Sequence, residues 1–364
     1  MTRPPIRRLI GLAASLAALA GGVTASPADA AHPGPDRHQL AALAGDRPPR
    51  LSVTGAALLA SGTGQQLYGL NARAELPIAS TTKLMTALVT VQHIHRLGLV
   101  FAQNDWRPAA ADSQIGLVPG ERMSVHDLLV ALMLPSADDA AEDLAYNVGH
   151  RSVRRFISMM NAEARRLGLR ATHYSTPIGL DTRGNHSSPG DLVRLAAYLR
   201  ARSPFLRRVM ALPSATLTTG RYRRLVINRN DLVGRFQWVN GVKTGHTADA
   251  GYVLVASGTR HGLTLIDSVL GTSSEAARDA NALALLDYGF AHFHMVEPVR
   301  RGQVLARLAV QDSSHRAAVI SEHRHRLVVP RNARLRVKLE LPRQLVGPLP
   351  RHAVVGHAIV FAGR

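Results

Sequence analysis

Apolar residues recur at helical spacing through much of this chain and at strand spacing elsewhere, and the texture changes once, near residue 298. Across residues 125–148, Leu128, Leu129, Leu132, Leu134, Leu144 and Val148 repeat at helical intervals, with Pro135-Ser136 interrupting the run. A proline ends one helix and a following serine can cap the next, so two helices are expected with Ser136 capping the second. Residues 153–167 carry another amphipathic pattern, residues 191–200 a shorter one behind Pro189-Gly190, and residues 275–290 a third. Residues 51–70 read as a hairpin, with Ala56-Ala57-Leu58-Leu59 and Gln65-Gln66-Leu67-Tyr68 flanking the turn Ser61-Gly62-Thr63-Gly64. Further strands are expected at 225–228, 241–244, 252–257 and 264–270. Beyond Pro298 only short β-type runs remain, at 304–310, 324–329, 335–341 and 353–361, separated by Pro, Gly and Ser.

This order predicts a mixed α/β body around an antiparallel sheet with a helical subdomain, over residues 51–295. A small all-β domain follows at 296–364. Residues 31–50, rich in Pro, Ala, Gly and charge, read as a linker. Residues 1–30 read as a secretory signal peptide. Arg3, Arg7 and Arg8 precede an apolar run over 9–23, and Ala28-Asp29-Ala30 gives a small-x-small cleavage site before Ala31. The Arg7-Arg8 pair leaves general and twin-arginine export both open. No later segment is long and apolar enough to cross a bilayer. The expected location is therefore the periplasm or the cell wall.

Composition narrows the chemistry. With no cysteine there is no disulfide, no thiol nucleophile and no cysteine metal site. Aromatic residues are only 4% of the chain, so the core rests on Ala, Leu and Val. Formal net charge is +19, and residues 298–364 hold 13 Arg plus Lys against 3 Asp plus Glu. Such a surface suits an anionic wall polymer or an anionic lipid, with an arginine-rich genome as the competing explanation. No nucleic-acid partner is expected.

Of the 44 basic residues only Lys83, Lys243 and Lys338 are lysines. Arginine holds its proton near neutral pH, whereas a lysine can be tuned to release it. Lys83 stands three residues after Ser80 at the start of an expected helix, so the two share a face. A hydroxyl beside an amine is a candidate nucleophile and base, though a surface lysine beside a capping serine has the same spacing. Two further short motifs follow: Ser136-Ala137-Asp138 at the helix break, and Lys243-Thr244-Gly245 on an expected strand.

At these three motifs the chain resembles the serine-type D-alanyl-D-alanine carboxypeptidases, the low-molecular-weight penicillin-binding proteins, which carry S-x-x-K, S-x-N and K-T-G in that order. The resemblance runs from about Ala56 to Phe293. It includes Asn228-Arg229-Asn230, Thr172-His173, Pro177-Ile178-Gly179-Leu180-Asp181 and Gly245-His246-Thr247. It implies that Ser80 attacks the carbonyl between two terminal D-alanines of a peptidoglycan stem peptide and is acylated. Lys83 would take its proton, kept neutral by burial and by Lys243 nearby. Ser136 would relay a proton to the leaving amine. Lys243 and Thr244 would hold the terminal carboxylate, with Arg229 and Arg278 near it. Gly245 would let substrate backbone lie along the strand, and the N–H groups of Ser80 and His246 would face the oxyanion. β-Lactams would be covalent inhibitors, and no cofactor or metal is implied.

One position departs from the pattern: Asp138 stands where asparagine is usual. The resemblance implies a substrate-binding role for Asp138. An ionised aspartate only accepts hydrogen bonds, so it would hold Lys83 charged, lose any donated bond to the substrate carbonyl and lower turnover; a tolerated near-isostere is the other reading. A D,D-endopeptidase on cross-linked peptides would use the same site. A wall-docking protein of impaired activity is a further alternative. A β-lactamase of the kind that deacylates through a glutamate is disfavoured, because no glutamate lies between Glu163 and Glu275. The pairs His93/His95 and His323/His325 lack accompanying carboxylates. Asp138, Asp139, Glu142 and Asp143 read as solvated charge at a helix start. The chain ends at Gly363-Arg364 with no amphipathic helix, so no membrane anchor is expected.

Overall fold

A computed structural model describes residues 8–14, 48–110, 112–350 and 352–363. They divide into two compact units, one over residues 48–291 and one that includes residues 292–364. Most of the expected leader and all but the end of the expected linker lie outside the described residues. The exception in the leader is strand β1 (Arg8–Ala14).

The larger unit is built on a five-stranded antiparallel sheet. Its strands are β2 (Gly55–Ala60) and β3 (Gln65–Leu70), joined by the expected turn, then β8 (Val239–Thr247), β9 (Gly251–Arg260) and β10 (Leu263–Thr272). The order is β3-β2-β10-β9-β8. All six residues of β2 are buried, because both faces of the strand are covered. Helix α8 (Glu275–His292) lies on one face, where a Cβ at Gly289 would press on Leu58 and Leu265. Helix α5 (Pro189–Arg202) lies on the other, and Ser268 Oγ donates to the Pro189 carbonyl there. Coverage on both faces explains why Ala56-Ala57-Leu58-Leu59 is a continuous apolar run rather than an alternating one.

Helices α1 (Lys83–His93), α2 (Val125–Met133), α3 (Asp138–Val148), α4 (Val153–Arg166) and α6 (Pro204–Met210) form the helical part. Helix α1 is its axis. It packs against α2, α3, α4 and α5, and every residue from Lys83 to Thr90 is buried. Each fully buried Leu or Met on it contributes roughly 1.5–3 kcal/mol. Two two-stranded antiparallel pairs complete the unit: β4 (Val100–Ala102) with β5 (Arg122–Ser124), and β6 (Ser214–Leu217) with β7 (Arg224–Ile227). One turn of helix, α7 (Leu232–Arg235), follows β7.

The smaller unit is all β among the described residues after α8. It contains β11 (Phe293–Val299), β12 (Val304–Val310), β13 (Arg316–Ser321), β14 (His325–Pro330), β15 (Arg334–Glu340), β16 (Gln344–Leu345) and β17 (Ala353–Gly363). Strands β11 and β14 pair with each other, and the remaining order is β15-β17-β1-β13-β12-β16. Val299, Val319, Leu327, Val329, Ala358 and Val360 form its core. The expected mixed α/β body and β-rich C-terminal part are both present.

Two local expectations are overturned. Ser136 does not cap α3: the N-cap is Ala137, without a side-chain cap bond, and Ser136 itself lies in the left-handed region at φ 68°. Nor is the acidic start of α3 solvated, since Asp138, Asp139, Glu142 and Asp143 are all buried. The backbone N–H groups of Ile115 and Leu117 reach in to Asp139, which replaces water with protein donors.

Candidate active site

Ser80 lies in a single 3₁₀ turn, Ala79–Thr82, that runs directly into α1. The turn is forced. Ala79 is left-handed at φ 44°, a conformation a non-glycine residue adopts only under tertiary constraint. Behind it sits Gly179 at φ 94°, where a Cβ would fall 2.1 Å from the Ala79 carbonyl oxygen. The segment bearing Gly179 is tied to α1, because Thr86 Oγ1 donates to the Pro177 carbonyl at 2.6 Å and Asn185 Nδ2 to Thr82 Oγ1 at 3.0 Å.

Lys83 is fully buried and uses three acceptors. Its Nζ donates to Ser80 Oγ at 2.9 Å, to Asp138 Oδ1 at 2.5 Å and to the Ile178 carbonyl at 2.6 Å. Burial pushes the Lys83 amine down, Asp138 pulls it back up, and the Arg229 charge lowers it again. Burial likewise pushes the Asp138 carboxyl up, against the pull of Lys83. Both partners thus move toward their uncharged forms. Lys243 is also buried and pushed well down, by burial and then by the charges of Lys83 and Arg229.

The expected residues converge on one cleft. Ser80, Ser136, Asp138, Arg229, Thr244, Gly245, His246 and Arg278 all line it. Lys243, on β8, is buried beside it, with its Nζ donating to the Thr244 carbonyl at 3.0 Å and its charge bearing on Asp138. Ser136 Oγ is buried with no hydrogen-bond partner among the described residues, leaving a hydroxyl uncommitted. Arg229 is brought in by its own backbone: its N–H bonds the Leu134 carbonyl at 3.1 Å, and Asn228 Nδ2 anchors the same stretch to the Leu212 carbonyl at 2.9 Å. Arg278 is held by Asp279 at 2.8 Å and by Glu275 at 3.4 Å. His246 stacks on Tyr252 with ring centroids 4.0 Å apart.

Several contributors escaped the sequence reading. Asp112 and Ser113 line the cleft, and the Ile178 carbonyl is the third acceptor of Lys83. Gly179 was the signal for the last of these, since a glycine flanked by bulky residues often marks close backbone approach. Glu142, one turn along α3 from Asp138, is pushed up to about 7 by burial and by the Asp138 charge. Among the described residues no group of three or more His, Asp or Glu could hold a metal ion.

The sequence profile of the D-alanyl-D-alanine carboxypeptidase peptidases matches residues 44–274. The chain belongs to that family. A D-alanyl-D-alanine carboxypeptidase of Streptomyces sp. (strain K15) is 35% identical over 258 residues, which is 67% of this chain and 89% of the relative. The D-alanyl-D-alanine carboxypeptidase DacA of Escherichia coli (strain K12) is 31% identical over 327 residues, covering 85% of this chain and 79% of its own. Among solved structures, penicillin binding protein 5 from Haemophilus influenzae superposes with a TM-score of 0.76 at 25% identity, covering 88% of this chain and 98% of that one. The Streptomyces K15 DD-transpeptidase does so with a TM-score of 0.65 at 33% identity, covering 68% and 100%. This D-alanyl-D-alanine carboxypeptidase family member is accordingly a serine hydrolase.

Proposed function

We propose that this family member removes the terminal D-alanine from peptidoglycan stem peptides through an acyl-enzyme on Ser80. The observation that supports this most is the 2.9 Å contact from Lys83 Nζ to Ser80 Oγ in a cleft walled by Thr244, Gly245 and His246. On this reading Ser80 Oγ attacks the carbonyl between the two D-alanines while its proton passes to Lys83. The oxyanion lies between the N–H groups of Ser80 and His246. Ser136, with its uncommitted hydroxyl, relays a proton to the departing D-alanine amine. Thr244 and Lys243, with Arg229 and Arg278 near them, receive the terminal carboxylate. Water then hydrolyses the ester and restores Ser80. β-Lactams mimic the scissile bond and stop at the acyl stage.

A second reading draws on the similar Streptomyces structure, which is called a DD-transpeptidase. There an amine rather than water would take the acyl group; the endopeptidase alternative keeps water as the acceptor and takes a cross-linked peptide as substrate. We also assign residues 51–295 to the peptidase domain, 296–364 to a basic domain that contacts an anionic wall polymer or lipid, and 1–30 to an export signal. No helix among the described residues is long and apolar enough to cross a membrane.

The test is D-alanine release from a stem pentapeptide ending in D-Ala-D-Ala. Release by the wild type and none by Ser80→Ala is expected; equal release by both overturns the assignment. A product carrying an added amine in place of D-alanine would select the transpeptidase reading.

A further inference from the structure

The three hydrogen bonds of Lys83 raise a problem that the proposed function leaves open. An ammonium that donates to Ser80 Oγ, Asp138 Oδ1 and the Ile178 carbonyl has no lone pair with which to take the Ser80 proton. It must first lose one of its own. Of its three acceptors, a carbonyl oxygen cannot hold a proton near neutral pH, and Ser80 is the group to be deprotonated. Asp138 is the one basic acceptor in contact, and it is the position where the family pattern has an amide that could not serve.

We infer that Asp138 takes the proton that Lys83 sheds, so that Lys83 and Asp138 work as a pair that holds one proton at rest and a second only between attack by Ser80 and departure of the D-alanine amine. The inference rests on the acyl-enzyme reading above and supplies the origin of its free amine.

The proton inventory closes. In the resting pair Lys83 is an ammonium and Asp138 a carboxylate. One proton crosses from Nζ to Asp138, giving an amine and a carboxylic acid. The amine turns its lone pair to Ser80 Oγ and takes the hydroxyl proton as Oγ bonds to the substrate carbonyl carbon. When the tetrahedral intermediate collapses, the C–N bond breaks and that proton leaves with the D-alanine amine by way of Ser136. The net transfer is from the Ser80 hydroxyl to the leaving amine. Asp138 acts only through Lys83 and is a positioning residue.

The setting favours transfer. Both partners are buried, at 0% and 6% side-chain exposure, so the neutral pair avoids much of the desolvation cost of two charges. Several charged groups surround them. On the α3 side stands Glu142, whose own proton affinity is raised by burial and by the Asp138 charge. Asp112 acts from the loop before β5 and favours the protonated pair. Arg229 from beyond β7 pushes Lys83 down, and Lys243 from β8 pulls Asp138 down. Arg278 from α8 bears on Lys243.

A one-proton pair has a distinctive pH dependence. Its active tautomer forms without exchanging a proton with solvent, so activity stays level through the neutral range. The ion-paired tautomer is unreactive, so the ceiling rate is lower than with a neutral amine alone. Replacing Asp138 by asparagine forces Lys83 to lose its proton to water. The acid limb then moves to higher pH, and the alkaline plateau rises.

The experiment is the pH profile of acylation of the wild type and Asp138→Asn by a fluorescent penicillin. The wild-type second-order rate should vary less than about threefold between roughly pH 6 and 8, while Asp138→Asn falls about tenfold per pH unit on an acid limb lying above that of the wild type. If the wild-type rate instead climbs steadily into alkaline pH and Asp138→Asn moves the limb down, Asp138 merely locks Lys83 in its charged form. Coincident limbs make it an isostere; either result overturns the inference. Should Asp138→Asn not fold, the wild-type profile alone decides. Absence of Ser80 labelling at every pH would instead sink the acyl-enzyme reading itself.

Discussion

Gly245 faces the Ser80 turn so closely that a Cβ there would stand 2.8 Å from the backbone N of Ser80 and 2.9 Å from Ala79 Cβ. Strand β8 and the 3₁₀ turn are therefore fitted to each other without a side chain between them. The third residue of the Lys243-Thr244-Gly245 motif sets the distance between the two walls of the cleft.

Gly245→Ala pushes these walls apart or tilts Ser80. Overpacking of this kind costs about 1–3 kcal/mol, and the proposed oxyanion donors, the N–H groups of Ser80 and His246, shift with it. The expected outcome is a folded protein with a melting temperature a few degrees lower and an acylation rate reduced by roughly 100-fold. Thermal melting and penicillin labelling of the same sample check it. A variant that labels at the wild-type rate contradicts the close fit.

Glu142 gives a stability prediction whose sign can be worked out. Its folded value is pushed up from 4.5 to about 7, so between those values the folded state binds the extra proton. Stability then falls as pH rises through that window and stays lower above it. Glu142→Gln removes this slope and should stabilise the protein at pH 8 by about 1–3 kcal/mol, with little effect at pH 4. Denaturant unfolding at the two pH values measures it; equal shifts at both would show that Glu142 is not the titrating group.

The export reading predicts that protein recovered from outside the cytoplasm begins at Ala31. Intact mass and N-terminal sequencing decide this. Cleavage there removes β1 from between β13 and β17, whereas an exported protein that retains Arg8–Ala14 contradicts the signal assignment.

Edge strand β15 exposes Arg334, Arg336 and Lys338, on the opposite side from Leu339. Arg334→Gln with Arg336→Gln should weaken cosedimentation with isolated walls or with anionic vesicles several-fold at low salt and much less at high salt. Binding that ignores both the substitutions and the salt would remove the polyanion role; whichever material responds identifies the partner.

Much of this site was legible because its motifs are short and local. Ser80 and Lys83 share a helical face, and the hairpin β2–β3 is written in an apolar run and a short second segment around a glycine-containing turn. The central strands were legible for the same reason. Where the reading failed, long-range contacts overrode local preference. Ser136 has a good capping side chain, yet the fold turns it left-handed and leaves its hydroxyl free in the cleft. Asp139 sits in an acidic cluster that local pattern assigns to solvent, but backbone donors from Ile115 and Leu117 bury it. Strand β13 was missed because its inward positions, Ala317, Val319 and Ser321, are too small to make a strong apolar pattern. The Ile178 carbonyl is a backbone group and leaves no side-chain signature.

The central claim is that Ser80 forms the acyl-enzyme, and peptide mapping by mass spectrometry after incubation with a penicillin tests it most directly. The account predicts one adduct per chain, on the peptide containing Ser80, and none on Ser80→Ala. An adduct on any other residue, or one that persists in Ser80→Ala, would contradict it.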